Sequence, residues 1–331
     1  MTTSVFPAFT VDVHIEPGDL RAALERDVRS GLGAAHKSMP PTWFYDEAGS
    51  KLFEEITGLP EYYPTRAERR LLGCHSADVA AITGSDTLVE LGAGACEKTR
   101  LLLDALAQTG GLRTYVPFDV SADFLEDAAG TLAREYDGLA VHAVVGDFHR
   151  HLGEIPRTGR RLVAFLGGTI GNLVPAQRRR FLSALRATMS AADHFLIGAD
   201  LVKDEARILA AYDDAAGVTA RFNLNVLRVV NRELDADFVP ERFGHVVRWD
   251  PLAQWIEMRL RADRDHLVHI GALGLTVPFA RDEELLTEIS AKFTPSGIAT
   301  ELTRCGFAVD HQWGAEEGQF LLTLAHPDSH R

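Results

Sequence analysis

The residues best suited to chemistry in this 331-residue chain form a glycine-rich turn, Glu90-x-Gly92-x-Gly94, that follows an apolar run. An apolar strand that breaks at glycines and continues as a helix opens a nucleotide-binding half-fold, in which the backbone can approach a ligand closely. A dinucleotide site requires a third glycine where Glu97 stands, and this carboxylate would repel a phosphate at the start of a helix. The remaining acidic-x-Gly-x-Gly pattern is typical of S-adenosylmethionine sites, although a plain strand-turn-helix has the same form.

Two further acidic residues each come directly after a strand-like apolar run. A carboxylate at Asp119 suits two ribose hydroxyls, because it can accept both hydrogen bonds. Asp147 suits the exocyclic amine of an adenine, and the neighbouring Phe148 ring would lie near the base. Asp is also a common turn residue, but its place after two successive strands beside the glycine turn favours ligand binding. Lys98 either pairs with the carboxylate end of the ligand or is a solvated helix residue.

These residues require a sheet that brings the ends of several strands together. Apolar runs predict strands at 87–91, 114–118, 140–145, 161–166 and 194–200. Helical patterns predict helices at 97–109, 122–136 and 175–190. Such a βαβ series forms a parallel sheet with right-handed crossovers, and its ligands bind beyond the carboxyl ends of the strands. We therefore predict an α/β fold with a Rossmann-like class I S-adenosylmethionine-dependent methyltransferase sheet.

The last elements of that sheet, a helix at 297–305 and strands at 307–313 and 320–325, appear only after a long interval. Residues 203–292 therefore form an insertion, in which helical spacing gives way to the strand alternation of 256–261. We expect the insertion to build a second α+β domain that binds the substrate.

The predicted organisation thus has two discontinuous domains. A methyltransferase domain contains 67–202 and 293–327, and a substrate-recognition domain contains 8–66 and 203–292. Two proline-framed aromatic clusters before residue 66 indicate either a cap over the site, with a hinge between the domains, or packing of an N-terminal extension. Thr65 and Glu68 have the spacing of a capping box, which predicts a helix that begins at Thr65.

Composition disfavours several classes of function. The net charge of −13 and a pI near 5.4 argue against nucleic-acid binding. Residues 1–9 contain neither a basic stretch nor an apolar run long enough for export, and no run approaches the roughly 20 apolar residues of a membrane span, so we expect neither an export signal nor a membrane anchor. Cys74, Cys96 and Cys305 are too widely spaced for a metal or disulfide framework. We expect a cytoplasmic enzyme that acts on a small molecule, with neither nucleic acid nor membrane as its partner.

Six motifs of the chain occur together in one known family. They are Ser38-Met-Pro-Pro-Thr-Trp-Phe-Tyr-Asp46, Leu59-Pro-Glu-Tyr-Tyr-Pro-Thr65, Val89-Glu-Leu-Gly-Ala-Gly94, Phe165-Leu-Gly-Gly-Thr-Ile-Gly-Asn-Leu173, Ala211-Tyr-Asp-Asp-Ala-Ala-Gly-Val-Thr-Ala-Arg-Phe-Asn223 and Thr287-Glu-Ile-Ser-Ala-Lys-Phe293. Over nearly its whole length the chain resembles the histidine Nα-methyltransferases of ergothioneine biosynthesis. The resemblance implies three successive methyl transfers from S-adenosylmethionine to the α-amine of L-histidine, which give hercynine, and a monomeric protein.

The resemblance also implies a role for individual residues. Those matching imidazole-binding positions are Tyr62, Glu288 and Ser290, and those matching carboxylate-binding positions are Asn172 and Tyr212. Those near the amino group are Tyr45 and Gly167, and those lining the pocket are Phe53 and Met258. Those matching cofactor contacts are Gly92, Lys98, Asp119, Asp147 and Phe148. Four positions depart from the serines and threonine expected in relatives, and these departures could alter cofactor affinity. They are Ala93, Ala95, Cys96 and Gly168.

The implied reaction is consistent with these residue types. Methyl transfer from a sulfonium is an in-line displacement, so positioning supplies most of the catalysis. The amine must lose a proton first, and no lysine or histidine of the motifs is an obvious base. We expect water or a network through Tyr45 to remove the proton while Asn172 fixes the carboxylate, which makes these two the catalytic residues. Glu288 would give specificity, because a buried acceptor left unpaired by Phe or Leu penalises those substrates.

Three other interpretations stay open. One is a methyltransferase for another amine or a protein side chain, although the fourth strand lacks the Asn/Asp-Pro-Pro-Tyr motif of enzymes that act on nucleobases or glutamine. A second is a nicotinamide reductase or a non-catalytic nucleotide-binding protein, which the missing third glycine and the pocket motifs disfavour. A third is a metal site at His149 and His151 or at His266 and His269, which have no acidic or cysteine partner at ligand spacing.

Overall fold

A computed structural model describes residues 9–94, 98–315 and 318–328, so Ala95, Cys96 and Glu97 lie outside the described residues. The strands are Phe9–Val13 (β1), Thr87–Leu91 (β2), Thr114–Asp119 (β3), Ala140–Val145 (β4), Arg161–Phe165 (β5), His194–Asp200 (β6), Phe243–Asp250 (β7), Trp255–Ala262 (β8), His266–Ile270 (β9), Leu275–Phe279 (β10), Glu284–Ala291 (β11), Phe307–Gly314 (β12) and Phe320–Pro327 (β13). The α-helices are Pro17–Leu32 (α1), Glu47–Gly58 (α2), Tyr63–Thr83 (α3), Thr99–Gln108 (α4), Ala122–Glu135 (α5), Pro175–Thr188 (α6), Glu205–Tyr212 (α7), Val218–Leu234 (α8) and Pro295–Arg304 (α9).

The chain forms two compact units. One contains the described residues up to 16, residues 67–201 and the described residues from 293 onward, and the other contains 17–66 and 202–292. The first unit is built on an eight-stranded sheet with the order β1-β4-β3-β2-β5-β6-β13-β12. Strands β1 to β6 pair in parallel, whereas β13 pairs antiparallel with β6 and β12. The predicted α/β fold class is confirmed.

The centre of this sheet is also its switch point. The chain runs from β2 outward through β3 and β4, and then returns to place β5 on the other side of β2. Strands β2 and β5 are buried along their whole length, as expected for parallel strands covered on both faces. Because ligands bind beyond the carboxyl ends of strands at a switch point, this edge of the sheet is where a ligand site is expected.

The N-terminal strand differs from the sequence-based expectation. The sequence predicts that residues 8–66 belong to the second domain, but β1 extends the large sheet by pairing with β4. Val11 packs against the hydrophobic core of this unit, and Asp12 pairs with His142 at 2.6 Å. The segment alternates apolar and polar residues, but it is only five residues long and its partner strand lies about 130 residues later, so its pattern alone does not identify the pairing.

The start of α3 is also corrected. The helix begins at Tyr63, with Pro64 in its first turn where the missing N–H costs nothing, so Thr65 is not its N-cap. Glu68 is fully buried and bonds elsewhere, which excludes the predicted capping box. The other boundaries in the large sheet agree with the prediction within about two residues, the usual uncertainty of such assignments.

The second unit packs helices α1, α2, α7 and α8 with a three-stranded antiparallel sheet, β11-β8-β7, and the hairpin β9-β10. The predicted alternation in β8 is confirmed, because Ile256, Met258 and Leu260 are buried whereas the intervening residues are partly exposed. Helix α8 has ten buried residues, among them Phe222 and Val226, and contributes to the core of this unit. None of the described helices combines the length and the apolar character needed to cross a membrane.

Candidate active site

The predicted site residues divide evenly between the two units. Those in the first unit are Gly92, Lys98, Asp119, Asp147, Phe148, Gly167 and Asn172. Those in the second unit are Tyr45, Phe53, Tyr62, Tyr212, Met258, Glu288 and Ser290.

The glycine turn after β2 leaves its backbone accessible. Gly92 and Gly94 have φ angles of +71° and +50°, a left-handed conformation that glycine adopts without strain. The Gly92 N–H donates to the Phe118 carbonyl at 2.8 Å, which joins the turn to the end of β3. A Cβ atom on either glycine would meet no atom within 4 Å. Open space therefore lies over the turn, as close approach of a ligand requires.

Glu90, the acidic residue of the motif, connects the turn to its flanking elements. Its buried carboxylate accepts a hydrogen bond from the Thr99 hydroxyl at the start of α4 and another, at 2.8 Å, from the Tyr115 hydroxyl on β3. Burial raises the pKa of Glu90 to about 7, and the two hydroxyls oppose this rise. Glu90 thus connects the end of β2 to the start of α4 and to β3, the elements that flank the turn.

Asp119 lies where the ends of three neighbouring strands meet. Its carboxylate accepts hydrogen bonds from the N–H groups of Gly94 at 3.0 Å and Ser121 at 3.2 Å. Burial raises the pKa of Asp119, although these donors oppose the rise. The Gly146 N–H donates to the Asp119 carbonyl at 2.8 Å, which joins the loop after β4 to the same place. The structure thus brings the glycine turn, Asp119 and the loop before Asp147 together.

Asp147 and Phe148 are held by the loop that follows β4. The Asp147 carboxylate accepts from the His149 N–H at 2.8 Å, and the Asp147 N–H donates to His151 Nδ1 at 3.0 Å. The Phe148 ring packs edge-on against Phe165, with 5.6 Å between the ring centroids. His149 and His151 therefore take part in the local structure of the loop. Within the described parts of the chain, no three His, Cys, Asp or Glu side chains are grouped so that they could hold a metal ion.

A buried carboxylate that the sequence analysis missed joins two of the predicted positions. Glu68 in α3 forms an ion pair with Lys98, and both of its oxygens accept the Gly167 N–H, at 2.8 and 3.0 Å. A Cβ atom on Gly198 would lie 2.1 Å from Glu68 Oε1, so β6 leaves room for the carboxylate only because it has a glycine there. Lys98 is therefore fixed by Glu68 rather than solvated. The only signal in the sequence was an acidic residue on the buried face of a helix.

Gly167 and Gly168 lead from β5 into a short 3-10 helix that ends at Asn172. Both glycines have positive φ angles, +78° and +69°, so a serine or threonine at Gly168 would strain the backbone. Asn172 is half-buried at the end of Thr169–Asn172. Its place after β5, next to the switch point, agrees with the position expected for a ligand-binding residue.

In the second unit, aromatic side chains of four predicted site residues form one cluster. The Phe53 ring lies 5.5 Å from Tyr45 and 6.2 Å from Tyr62, and Tyr62 lies 6.3 Å from Tyr212. Phe222 on α8 contacts Tyr45 and Phe53 at 5.4 and 5.9 Å. Tyr45 is 41% exposed, whereas Tyr62 and Tyr212 are buried. The cluster therefore has one accessible edge and one buried end.

Tyr212 connects this aromatic cluster to a buried polar group. Its hydroxyl donates to Ser290 Oγ at 2.7 Å, and Lys292 Nζ donates to both oxygens at 2.8 Å. Lys292 is only 3% exposed, and its ammonium lies 4.6 Å from the centroid of the Tyr212 ring, within cation–π range. Sequence reasoning missed Lys292, although it lies in one of the quoted motifs, because its partner Tyr212 lies 80 residues away in sequence.

Glu288 reaches the buried face of β11 because this strand contains a bulge. The pairing with β8 shifts between Leu286 and Glu288, and Glu288 lies opposite Met258. Glu284, four residues earlier, bonds to arginines on the outer face. Without the bulge Glu288 would share that outer face. Both Glu288 and Met258 are instead buried.

Burial makes the charge of Glu288 costly, which predicts a pH-dependent stability. Desolvation raises the pKa of Glu288 to about 8, and Lys292 opposes the rise. Between about pH 4.5 and 8 the folded protein thus holds a proton that the unfolded chain releases, so this group stabilises the fold at low pH and the contribution is lost as the pH rises. The free energy of unfolding of Glu288→Gln, relative to the unsubstituted protein, should rise by roughly 2 kcal/mol or more from pH 5 to pH 9. Urea denaturation at both pH values measures this difference, and a constant value would contradict it.

A second set of hydrogen bonds fixes Tyr212 through its backbone. His245 Nε2 contacts the Tyr212 carbonyl at 2.9 Å, and His245 Nδ1 contacts the amide of Asn223 at 2.8 Å. Burial lowers the pKa of His245, which favours the neutral ring that this pattern requires. The Thr287 hydroxyl contacts Asn223 Oδ1 at 2.7 Å and the Met258 carbonyl at 2.9 Å. The polar side chains are therefore held by α8, β7 and β8 as well as by β11.

Comparison with known proteins gives a consistent set of relatives. A family model described as histidine-specific methyltransferase, SAM-dependent, matches residues 24–327. The histidine N-alpha-methyltransferases of Mycobacterium tuberculosis and Mycolicibacterium smegmatis are 56% and 55% identical to this chain, each over 92% of the chain and 94% of the relative. Ergothioneine biosynthesis protein 1 of Neurospora crassa is 34% identical over 59% of this chain and 23% of its own length.

Proposed function

This chain belongs to the histidine-specific, S-adenosylmethionine-dependent methyltransferases, and we propose that it methylates the α-amino group of L-histidine. Three transfers would give hercynine, a step of ergothioneine biosynthesis; the names of its mycobacterial and fungal relatives support this assignment. The observation that carries the proposal is the buried pair Glu288 and Ser290 near an aromatic cluster, which suits a flat ring with two nitrogen atoms. We also propose that the enzyme acts as a monomer in the cytoplasm.

We propose that Gly92, Lys98, Asp119, Asp147 and Phe148 hold the cofactor. S-adenosylmethionine supplies the methyl group as a substituent of its sulfonium. The open space over Gly92 fits the close approach of a ligand, and the Asp119 carboxylate beside it can accept hydrogen bonds from two ribose hydroxyls. Glu68 holds the Lys98 ammonium near Gly167, where it would be available to a carboxylate at the amino-acid end of the ligand.

The remaining task of the chain is to position the amine of the substrate and to accept its proton. We propose that Asn172 and Tyr212 hold the substrate carboxylate, and that Tyr45 and Gly167 lie near the amine. An amino-acid amine is mostly protonated at neutral pH, and the 41% exposure of Tyr45 supports a route for this proton through the phenol to water. Fixing the nucleophile in an attack geometry would then supply most of the rate enhancement.

One reaction mixture tests the proposed function directly. Enzyme, S-adenosylmethionine and all the common amino acids are incubated together, and the products are identified by mass spectrometry. We expect L-histidine alone to gain methyl groups and to end with three on its α-nitrogen. Methylation of a different amino acid would contradict the histidine assignment while leaving the cofactor site intact. If no amino acid is modified although S-adenosylhomocysteine binds, the substrate is not a free amino acid.

A further inference from the structure

Lys292 and its two hydroxyl partners occupy the buried end of the proposed substrate pocket. We propose that Lys292 is a positioning residue that makes Tyr212 and Ser290 hydrogen-bond donors, so that the pocket selects a substrate ring with one protonated and one unprotonated nitrogen. The inference rests on the proposed function and adds to it the protonation form of the ring that the pocket accepts.

The direction of the hydrogen bonds follows from the chemistry of an ammonium group, which donates and cannot accept. The contacts of Lys292 Nζ with the Tyr212 and Ser290 oxygens, both at 2.8 Å, therefore occupy an acceptor position on each hydroxyl. The Tyr212 hydrogen points to Ser290 Oγ at 2.7 Å and fills the second acceptor position of Ser290. Ser290 can then bind a ligand only by donating its own hydrogen.

A donor at Ser290 requires an acceptor on the substrate. The unprotonated nitrogen of a neutral imidazole is such an acceptor, and the N–H on the other side of the ring can donate to a carboxyl oxygen of Glu288. An imidazolium has an N–H on both sides, so one of them would oppose the Ser290 hydrogen. With the Tyr212 hydrogen held on Ser290 Oγ, the Ser290 hydroxyl thus matches a ring nitrogen that accepts.

Burial makes this arrangement effective. Tyr212, Ser290 and Lys292 are all buried, so water does not average out the direction of the hydrogen bonds, and two opposed donors are costly. Among the described residues, the titratable groups near Lys292 include Glu288 on β11 and Tyr212 on α7. His245 of β7 contacts the Tyr212 carbonyl, and the Tyr62 ring packs against the Tyr212 ring.

A double-mutant cycle tests whether Lys292 acts through Ser290. The dissociation constant of L-histidine is measured by calorimetry in the presence of S-adenosylhomocysteine. Lys292→Met, which keeps the side-chain length, should raise this constant about tenfold. In a Ser290→Ala background the same change should raise it by about threefold or less, because the hydroxyl that it orients is absent. Equal factors in the two backgrounds would overturn the proposal.

Lys37→Met is the matched control, because Lys37 is another buried lysine of the same unit, paired with Glu283. It should leave the dissociation constant of L-histidine unchanged. Unchanged affinity for S-adenosylhomocysteine shows that each variant is folded.

If Lys292→Met does not fold, the unsubstituted protein still provides a test through 15N NMR of bound, ring-labelled L-histidine. One protonated and one unprotonated nitrogen are expected, and two protonated nitrogens would refute the proposal. Failure of the unsubstituted protein to bind L-histidine at all would instead refute the proposed function.

Discussion

Replacing Glu288 with alanine should lower kcat/KM for L-histidine by about 100-fold or more, because the substitution removes the acceptor for the ring N–H. Glu288 is 8% exposed, so water cannot readily take its place, and an unpaired polar group in such a site costs about 1–3 kcal/mol or more. Above about pH 8, where Glu288 is ionised, its carboxylate also attracts the Lys292 ammonium, and the substitution removes that attraction. Initial rates at saturating S-adenosylmethionine, with the methylated products quantified by mass spectrometry, measure the effect.

Two other substitutions separate this role from a general loss of stability. Glu284→Ala removes a carboxylate from the same strand, but one that pairs with arginines on the outer face, so histidine activity should remain near that of the unsubstituted protein. Glu288→Gln keeps an acceptor oxygen without the charge and should lose less activity than Glu288→Ala. All three variants should bind S-adenosylhomocysteine normally. A Glu288→Ala enzyme that still prefers histidine would show that specificity lies elsewhere in the pocket.

The sequence predicts the large sheet well because its strands are short apolar runs that alternate with amphipathic helices. Strands β2 and β5 are buried on both faces, so their apolar composition alone is enough to identify them as strands. Because the strands are parallel, the polar residues that follow them lie at the carboxyl edge of the sheet. The same reasoning fails for β1, in which no residue is fully buried. Its place in the sheet depends on a partner strand that is far away in the chain.

The positions of Lys292, Glu288 and Glu68 depend on features that no local pattern encodes, and of the three only Glu288 is predicted from the sequence as a site residue. Lys292 lies 80 residues from Tyr212 in sequence, and only tertiary contacts at the end of β11 bring the two together. Glu288 faces the interior because of a bulge, whereas strict alternation from Glu284 would place it outside. Glu68 has the spacing of a capping residue, yet its carboxylate enters the core of the first unit. In each case the local sequence favours a common role for a charged residue, either exposure to solvent or capping of a helix. The tertiary environment gives it a different, buried role.

Glu68→Ala should destabilise the protein by about 3–5 kcal/mol, because it breaks a buried ion pair by removing one partner. It leaves the Lys98 ammonium without its carboxylate and the Gly167 N–H without its acceptor. If Lys98 and Gly167 bind the cofactor, the folded fraction of this variant should also bind S-adenosylhomocysteine about tenfold or more weakly. Urea denaturation gives the free energy of unfolding, and calorimetry below the transition gives the affinity.

Gly198→Ala and Asp193→Asn distinguish the two parts of this prediction. A Cβ atom on Gly198 would displace the Glu68 carboxylate without changing any charge, so Gly198→Ala should weaken cofactor binding in the same direction. Asp193 forms a buried pair with Arg161 at the amino ends of β5 and β6, at the opposite edge of the sheet. Asp193→Asn should therefore lower stability and leave the affinity for S-adenosylhomocysteine unchanged. If all three variants lost affinity in proportion to stability, Glu68 would act only as part of the core; a loss confined to Glu68→Ala and Gly198→Ala would assign it to the cofactor site.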